Sequence, residues 1–128
     1  MSHTVEIVRA GDFARLDAHG RVDLAESRKA LAAVARACVD RGTKLALLDV
    51  RDVYSDLSVS DLCALAKAFN EMGFTRDHKL AVLHRYSSGD RATFFALCAA
   101  ERGWNVRAFD SFEEAIEWFG EARPAGEG

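Results

Sequence analysis

The sequence predicts a single α/β domain built on one mixed, mostly parallel five-stranded sheet with four helices. Two apolar runs, residues 45–50 and 80–83, have the near-continuous hydrophobicity of strands covered on both faces or lying at a sheet centre. Amphipathic helical stripes alternate with strand-like runs from residue 23 onward, the pattern of β-α-β units. The 128 residues, 49% hydrophobic and 29% charged, hold enough apolar material for one ordinary core.

The runs 4–9 and 13–19 have strand composition and are separated by Ala10-Gly11-Asp12, so they open the chain as an antiparallel hairpin. Asp23 and Glu26 then form a reciprocal cap for a helix whose apolar stripe is Leu24, Leu31, Val34, Ala35 and Cys38 and which ends near Gly42. The strand at 45–50 leads into a helix with the stripe Val59, Leu62, Cys63, Ala66 and Phe69, stopped by Gly73. The strand at 80–83 leads into a helix from about Asp90 to Arg102. A short strand at 105–109 follows, and Ser111 with Glu114 caps a last helix facing inward through Phe112, Ala115, Ile116 and Phe119. The order is β-β-α-β-α-β-α-β-α, with the domain at 1–120 and a polar tail at 121–128. Strands joined through helices run parallel, which leaves the opening strand as the antiparallel one.

Charge narrows the function. Seventeen Lys and Arg are interleaved with twenty Asp and Glu, for a net charge of −3, so the clustered basic surface that nucleic acid requires is missing. The start, MSHTVEIVRAGDF, lacks the features of a secretory signal, and the longest apolar run, FFALCAA, is too short to span a bilayer. A cytoplasmic protein that does not span a membrane is expected. Cys38, Cys63 and Cys98 are far apart in sequence, each in a helical pattern, and read as buried free thiols.

Four places carry candidate chemistry. Ser58, with Asp61 three positions on, matches a helix cap, and a phosphate there would meet the positive end of the helix dipole. Tyr54, Ser55 and Asp56 surround it at the rim where open α/β sheets bind ligands, and are expected to form a recognition surface. In HRYSSGDRATFF, Arg85, Ser87, Ser88 and Arg91 have the composition of an anion-binding corner, with Ser87 and Asp90 as a second cap. Asp49 and Asp52 flank Arg51, an arrangement that suits an ion pair with Arg51 or Arg85 better than a metal site. On the helix at 90–102, Ala92, Phe95, Ala96 and Ala99 can cover the sheet. Phe94, Leu97 and Cys98 then need a neighbouring helix, a ligand or a second chain, and Trp118 adds to such an interface. A homodimer is the first expectation for that surface. His84, Ser58 and an Asp permit a hydrolase triad on paper, but no serine has a Gly-x-Ser-x-Gly elbow, so no catalytic residue, cofactor or metal is assigned.

The element order, G-x-V-D at Gly20 to Asp23, LLDVRDV at 47–53 and the ending RAFDSFEEAIEWF at 107–119 together resemble the STAS domain, the anti-sigma factor antagonist fold, over roughly residues 4–119. The likeness is nearest to the small stand-alone STAS/SEC14-like proteins. It implies a non-enzymatic regulatory or adaptor module that binds a protein partner through the loop and start of the second helix. In some members a serine at that helix start is phosphorylated within a pattern like Asp-Ser-Ser-Gly. The matching residue by distance is Ser58, whose neighbours are Leu57, Val59 and Ser60, so this pattern is absent here. The SEC14-type relatives imply an alternative, a carrier with a cleft for a lipid or other small apolar ligand.

Overall fold

The computed structural model describes residues 3–8, 13–85 and 89–121. The strands β1 (His3–Val8), β2 (Phe13–Arg21), β3 (Leu45–Tyr54), β4 (Lys79–Leu83) and β5 (Asn105–Phe109) form one sheet in the order β1-β2-β3-β4-β5. β2 to β5 are parallel, and β1 pairs antiparallel with β2, with Val5 opposite Leu16. The expected hairpin turn, residues 10–12, lies outside the described residues, as does all of the tail except Glu121.

The helices α1 (Leu24–Arg41), α2 (Val59–Lys67) and α3 (Gly89–Glu101) connect successive parallel strands, and α4 (Phe112–Phe119) follows β5. Because strand order advances steadily across the sheet, crossovers of one hand bring α1, α2 and α3 to the same face. Alternation along each strand then divides the core. Ala14, Leu16, Ala46, Leu48, Leu80 and Val82 face those three helices, while Phe13, Leu47, Ala81, Leu83 and Phe109 face α4.

Local signals explain the helix boundaries. Asp23 accepts from Glu26 N at 2.8 Å while Glu26 Oε1 accepts from Asp23 N, and Gly42 ends α1 at φ 69°, a left-handed conformation that glycine takes without strain. The helix α2 stops at Lys67, short of the expected end at Gly73. A 3-10 turn at Asn70–Met72 bends the chain so that Phe69 stacks on Phe74, with ring centroids 4.8 Å apart.

Two expectations are corrected. The third strand does not end at Val50 but runs to Tyr54, because β2 continues beside it: Gly20 pairs with Val53 and Arg21 with Tyr54. A register shift between Asp17 and His19, with Gly20 at φ 88°, lets β2 follow that extension. The last β3–β4 pair is Asp49 with Leu83, so β2 and β3 project well past β4. The cysteines are also not all separate, since Cys63 and Cys98 meet between α2 and α3 with Sγ atoms 3.1 Å apart. Sequence distance hid this contact because the two helices pack side by side.

Candidate functional site

The projecting ends of β2 and β3 create a space that the shorter β4 does not fill. A cavity of about 360 Å³ lies there, at the C-terminal edge of the parallel strands. Its floor is Ala18, Leu48, Val50 and Val82 from the sheet. The walls are Ala30 and Leu31 of α1, Leu62 and Leu65 of α2, and Ala92 and Phe95 of α3. Alanines stand on three elements that face one another here. The other large aromatic side chains gather toward the other end of the same core, where the Phe69 ring centroid lies 4.8 Å from that of Phe74 and 5.7 Å from that of Trp104. The volume is near the low end of the roughly 300–1,000 Å³ typical of small-ligand sites.

The mouth is polar and cationic. Arg21, Arg85 and Arg91 line it, with Asp56 as the one carboxylate among the lining residues. Arg21 Nη1 pairs with Asp56 Oδ2 at 2.9 Å, both side chains being exposed, so the pair is a weak one. Arg85 lies 4.8 Å from the Tyr54 ring centroid and donates to Val53 O at 3.3 Å, satisfying a carbonyl on the part of β3 that β4 does not reach. Arg91 Nε donates to Leu57 O at 3.3 Å and so fixes the loop to the start of α3.

His84, only 8% exposed, faces this cavity from the end of β4. Its Nδ1 is 2.7 Å from Arg85 O. A carbonyl oxygen only accepts, so Nδ1 carries the hydrogen of this contact. The ring is thus oriented by a carbonyl and not by a carboxylate, and Ser58, the serine of the triad drawn on paper, is engaged elsewhere. Ser58 Oγ accepts from Asp61 N at 3.1 Å, while Asp61 Oδ2 accepts from Ser58 N at 3.1 Å. This is the reciprocal cap of α2, on an exposed residue.

The two recognition segments expected from the sequence therefore converge on one opening: Tyr54, Ser55 and Asp56 from the β3 end, and Arg85 and Arg91 from the β4–α3 side. Ser55 Oγ accepts from Leu57 N at 3.1 Å and holds the loop in a tight turn. Ser87 and Ser88 lie outside the described residues. Asp49 belongs to the opposite face, where both Arg51 and Arg15 engage its carboxylate, at 2.7 and 2.9 Å. Among the described residues no group of three His, Cys, Asp or Glu side chains converges as a metal site.

The expected interface divides. Leu97 is 59% exposed and Phe94 is half-buried, but Trp118 is only 7% exposed and lies on the other side of the sheet. It packs on Phe109 with ring centroids 5.6 Å apart, so its place in an interface is withdrawn. Its spacing of three residues from buried Ala115 was the available signal, since i and i+3 share a helix face. The cavity itself had none, because a void made by alanines on separate elements leaves no local pattern.

No family model and no curated protein matches the sequence. Solved structures do match by shape. An uncharacterized protein from Shewanella loihica with a SpoIIAA-like fold superposes with a TM-score of 0.60 at 16% identity, over 92% of this chain and 93% of that one. The anti-sigma factor antagonist SpoIIAA in its unphosphorylated form superposes with a TM-score of 0.57 at 12% identity, over 95% of this chain and 100% of that one. The chain has the SpoIIAA-like, STAS-like fold. No helix among the described residues is long and apolar enough to cross a membrane.

Proposed function

We propose that this SpoIIAA-like domain is a non-enzymatic regulatory module that binds a small amphiphile, with the apolar part in the cavity and an anionic end at the mouth. The observation that carries this reading is the 360 Å³ apolar chamber beneath a rim with three arginines and one carboxylate. Apolar walls reward burial of an alkyl body without directional demands, and guanidinium groups suit a carboxylate or phosphate. His84, at the end of β4, adds a polar ring to the lining.

Titration calorimetry with decanoate and with decanol tests the reading. Decanoate is expected to saturate a single site and to bind about tenfold more tightly than the alcohol, the worth of a charge-assisted contact. Arg91→Ala should weaken decanoate more than decanol, because it removes a charge from the mouth as well as a tether of the loop. Absence of saturable binding for both compounds would exclude the cavity as an amphiphile site.

A second reading rests on exposure. Tyr54 is 58% and Val59 62% exposed on either side of Ser58, large apolar groups at the loop and the start of α2. SpoIIAA is an anti-sigma factor antagonist, and a protein partner docking on that segment would give this chain an adaptor role. Loss of a co-purifying protein in Tyr54→Ala, with amphiphile binding intact, would favour this use of the loop. The same loop roofs the cavity, so a ligand and a partner would be read through one surface.

A further inference from the structure

The three cysteines are not equivalent. Cys38 is 1% exposed, its Sγ donates to Leu45 O at 3.6 Å, and burial pushes its thiol up to about 11. Cys63 of α2 and Cys98 of α3 instead share a contact, with Sγ atoms 3.1 Å apart across the seam between the two helices. Cys63 is half-buried and Cys98 is 7% exposed, so the pair has one accessible and one sheltered sulfur. A disulfide has sulfurs about 2.05 Å apart, so closing the contact needs an approach of about 1 Å. Side-chain adjustment on two packed helices can supply that without unfolding either one.

We propose that Cys63 and Cys98 are an oxidisable dithiol that closes reversibly into a disulfide linking α2 to α3. The oxidant is a low-molecular-weight disulfide of the glutathione type. The Cys63 thiolate attacks one of its sulfurs, breaking the S–S bond and releasing one small thiolate, which takes up a proton. Cys98 then gives up its proton, attacks Cys63 Sγ and expels the second small thiol. Two protein thiols lose two electrons, and the reagent gains them as two free thiols, so protons and electrons balance.

The order of attack follows from the surroundings. Burial, and next the hydrogen bond and charge interaction with Cys63, raise the Cys98 thiol above its ordinary range. Cys98 therefore suits the second, intramolecular step, in which proximity replaces acidity. Leu62 adjoins Cys63, and Phe95 lies one helical turn before Cys98, and both line the cavity. The link would thus fasten two of the cavity walls to each other from behind.

The test is intact-mass analysis and peptide mapping of the full chain after equilibration with graded ratios of oxidised to reduced glutathione. The expected product is a single intramolecular disulfide joining the peptides of Cys63 and Cys98, with Cys38 still open to alkylation after denaturation and full reversal by dithiothreitol. Its melting temperature should exceed that of the reduced chain by several degrees. Cys63→Ala, at the half-buried position, should abolish both the product and the shift, and Cys38→Ala should keep both. Three free thiols at every ratio, a disulfide that includes Cys38, or glutathione persisting on Cys63 without closure would each overturn the proposal.

Discussion

Arg15 on β2 reaches Asp49 on the adjacent strand β3, Nη2 to Oδ2 at 2.9 Å, and Arg51 closes on the same carboxylate at 2.7 Å. Burial alone would raise the Asp49 carboxyl, but hydrogen bonds from Arg51 and the charges of Arg51 and Arg15 outweigh it and hold the group below 3.8. A depressed carboxyl stabilises the fold above its unfolded value, and that contribution is lost as pH falls through the folded value. Asp49→Asn takes one nearly buried carboxylate away from Arg15 and Arg51 together, with Arg15 keeping Asp17 at 2.7 Å, and should cost about 2 kcal/mol at neutral pH. Urea denaturation should find this loss, and the variant should be less sensitive to acid than the wild type.

Ser58 tests the cap. Ser58→Ala removes the acceptor of Asp61 N and should cost about 1 kcal/mol. Ser58→Asp should retain most of the stability, because an Asp side chain caps a helix about as well as Ser. Equal melting temperatures for wild type and Ser58→Ala would remove the capping role.

The buried His78 sets a pH dependence near neutrality. Its Nδ1 accepts from Thr75 N at 3.0 Å, and burial, followed by the Lys44 charge, lowers its pKa below 6.5. The unfolded chain therefore takes up this proton more readily than the folded one. The contribution is fully present above 6.5 and is lost as pH falls through the folded value. Unfolding free energies should rise between about pH 5 and 7. His78→Asn should flatten that rise, and an unchanged slope would assign it to other groups.

Trp118→Ala should cost about 3–5 kcal/mol, the usual result of emptying a buried aromatic site. The same variant should leave the association state at high concentration unchanged, because Trp118 is only 7% exposed. Analytical ultracentrifugation beside thermal melts separates the two effects.

These residues differ in how far the sequence reveals them. The cap at Ser58 is legible because every partner lies within three residues. The parallel strands at 45–50 and 80–83 are legible because burial on both faces writes itself as an unbroken apolar run. The extension of β3 through Arg51 to Tyr54 is not, since those residues are extended only through pairing with β2 beyond its register shift. Cys63 and Cys98, 35 positions apart, meet through helix packing that no local pattern records. The Asp49 pair is half legible: Arg51 is two residues away, but Arg15 arrives from another strand, and the expected alternative, Arg85, turns instead toward Tyr54.

At the start of β4, Lys79 is 8% exposed and its Nζ donates to Trp118 O at 2.7 Å and Glu121 O at 3.1 Å. The ammonium thereby gathers the carbonyls at the end of α4 and anchors them to a central strand. His84 and the opening stand at the other end of that strand, about 16 Å away at the usual rise per residue. Glu121 consequently marks a handle remote from the mouth. A sensor surface that grips the protein by this end would present the arginine rim outward, ready for the titrant.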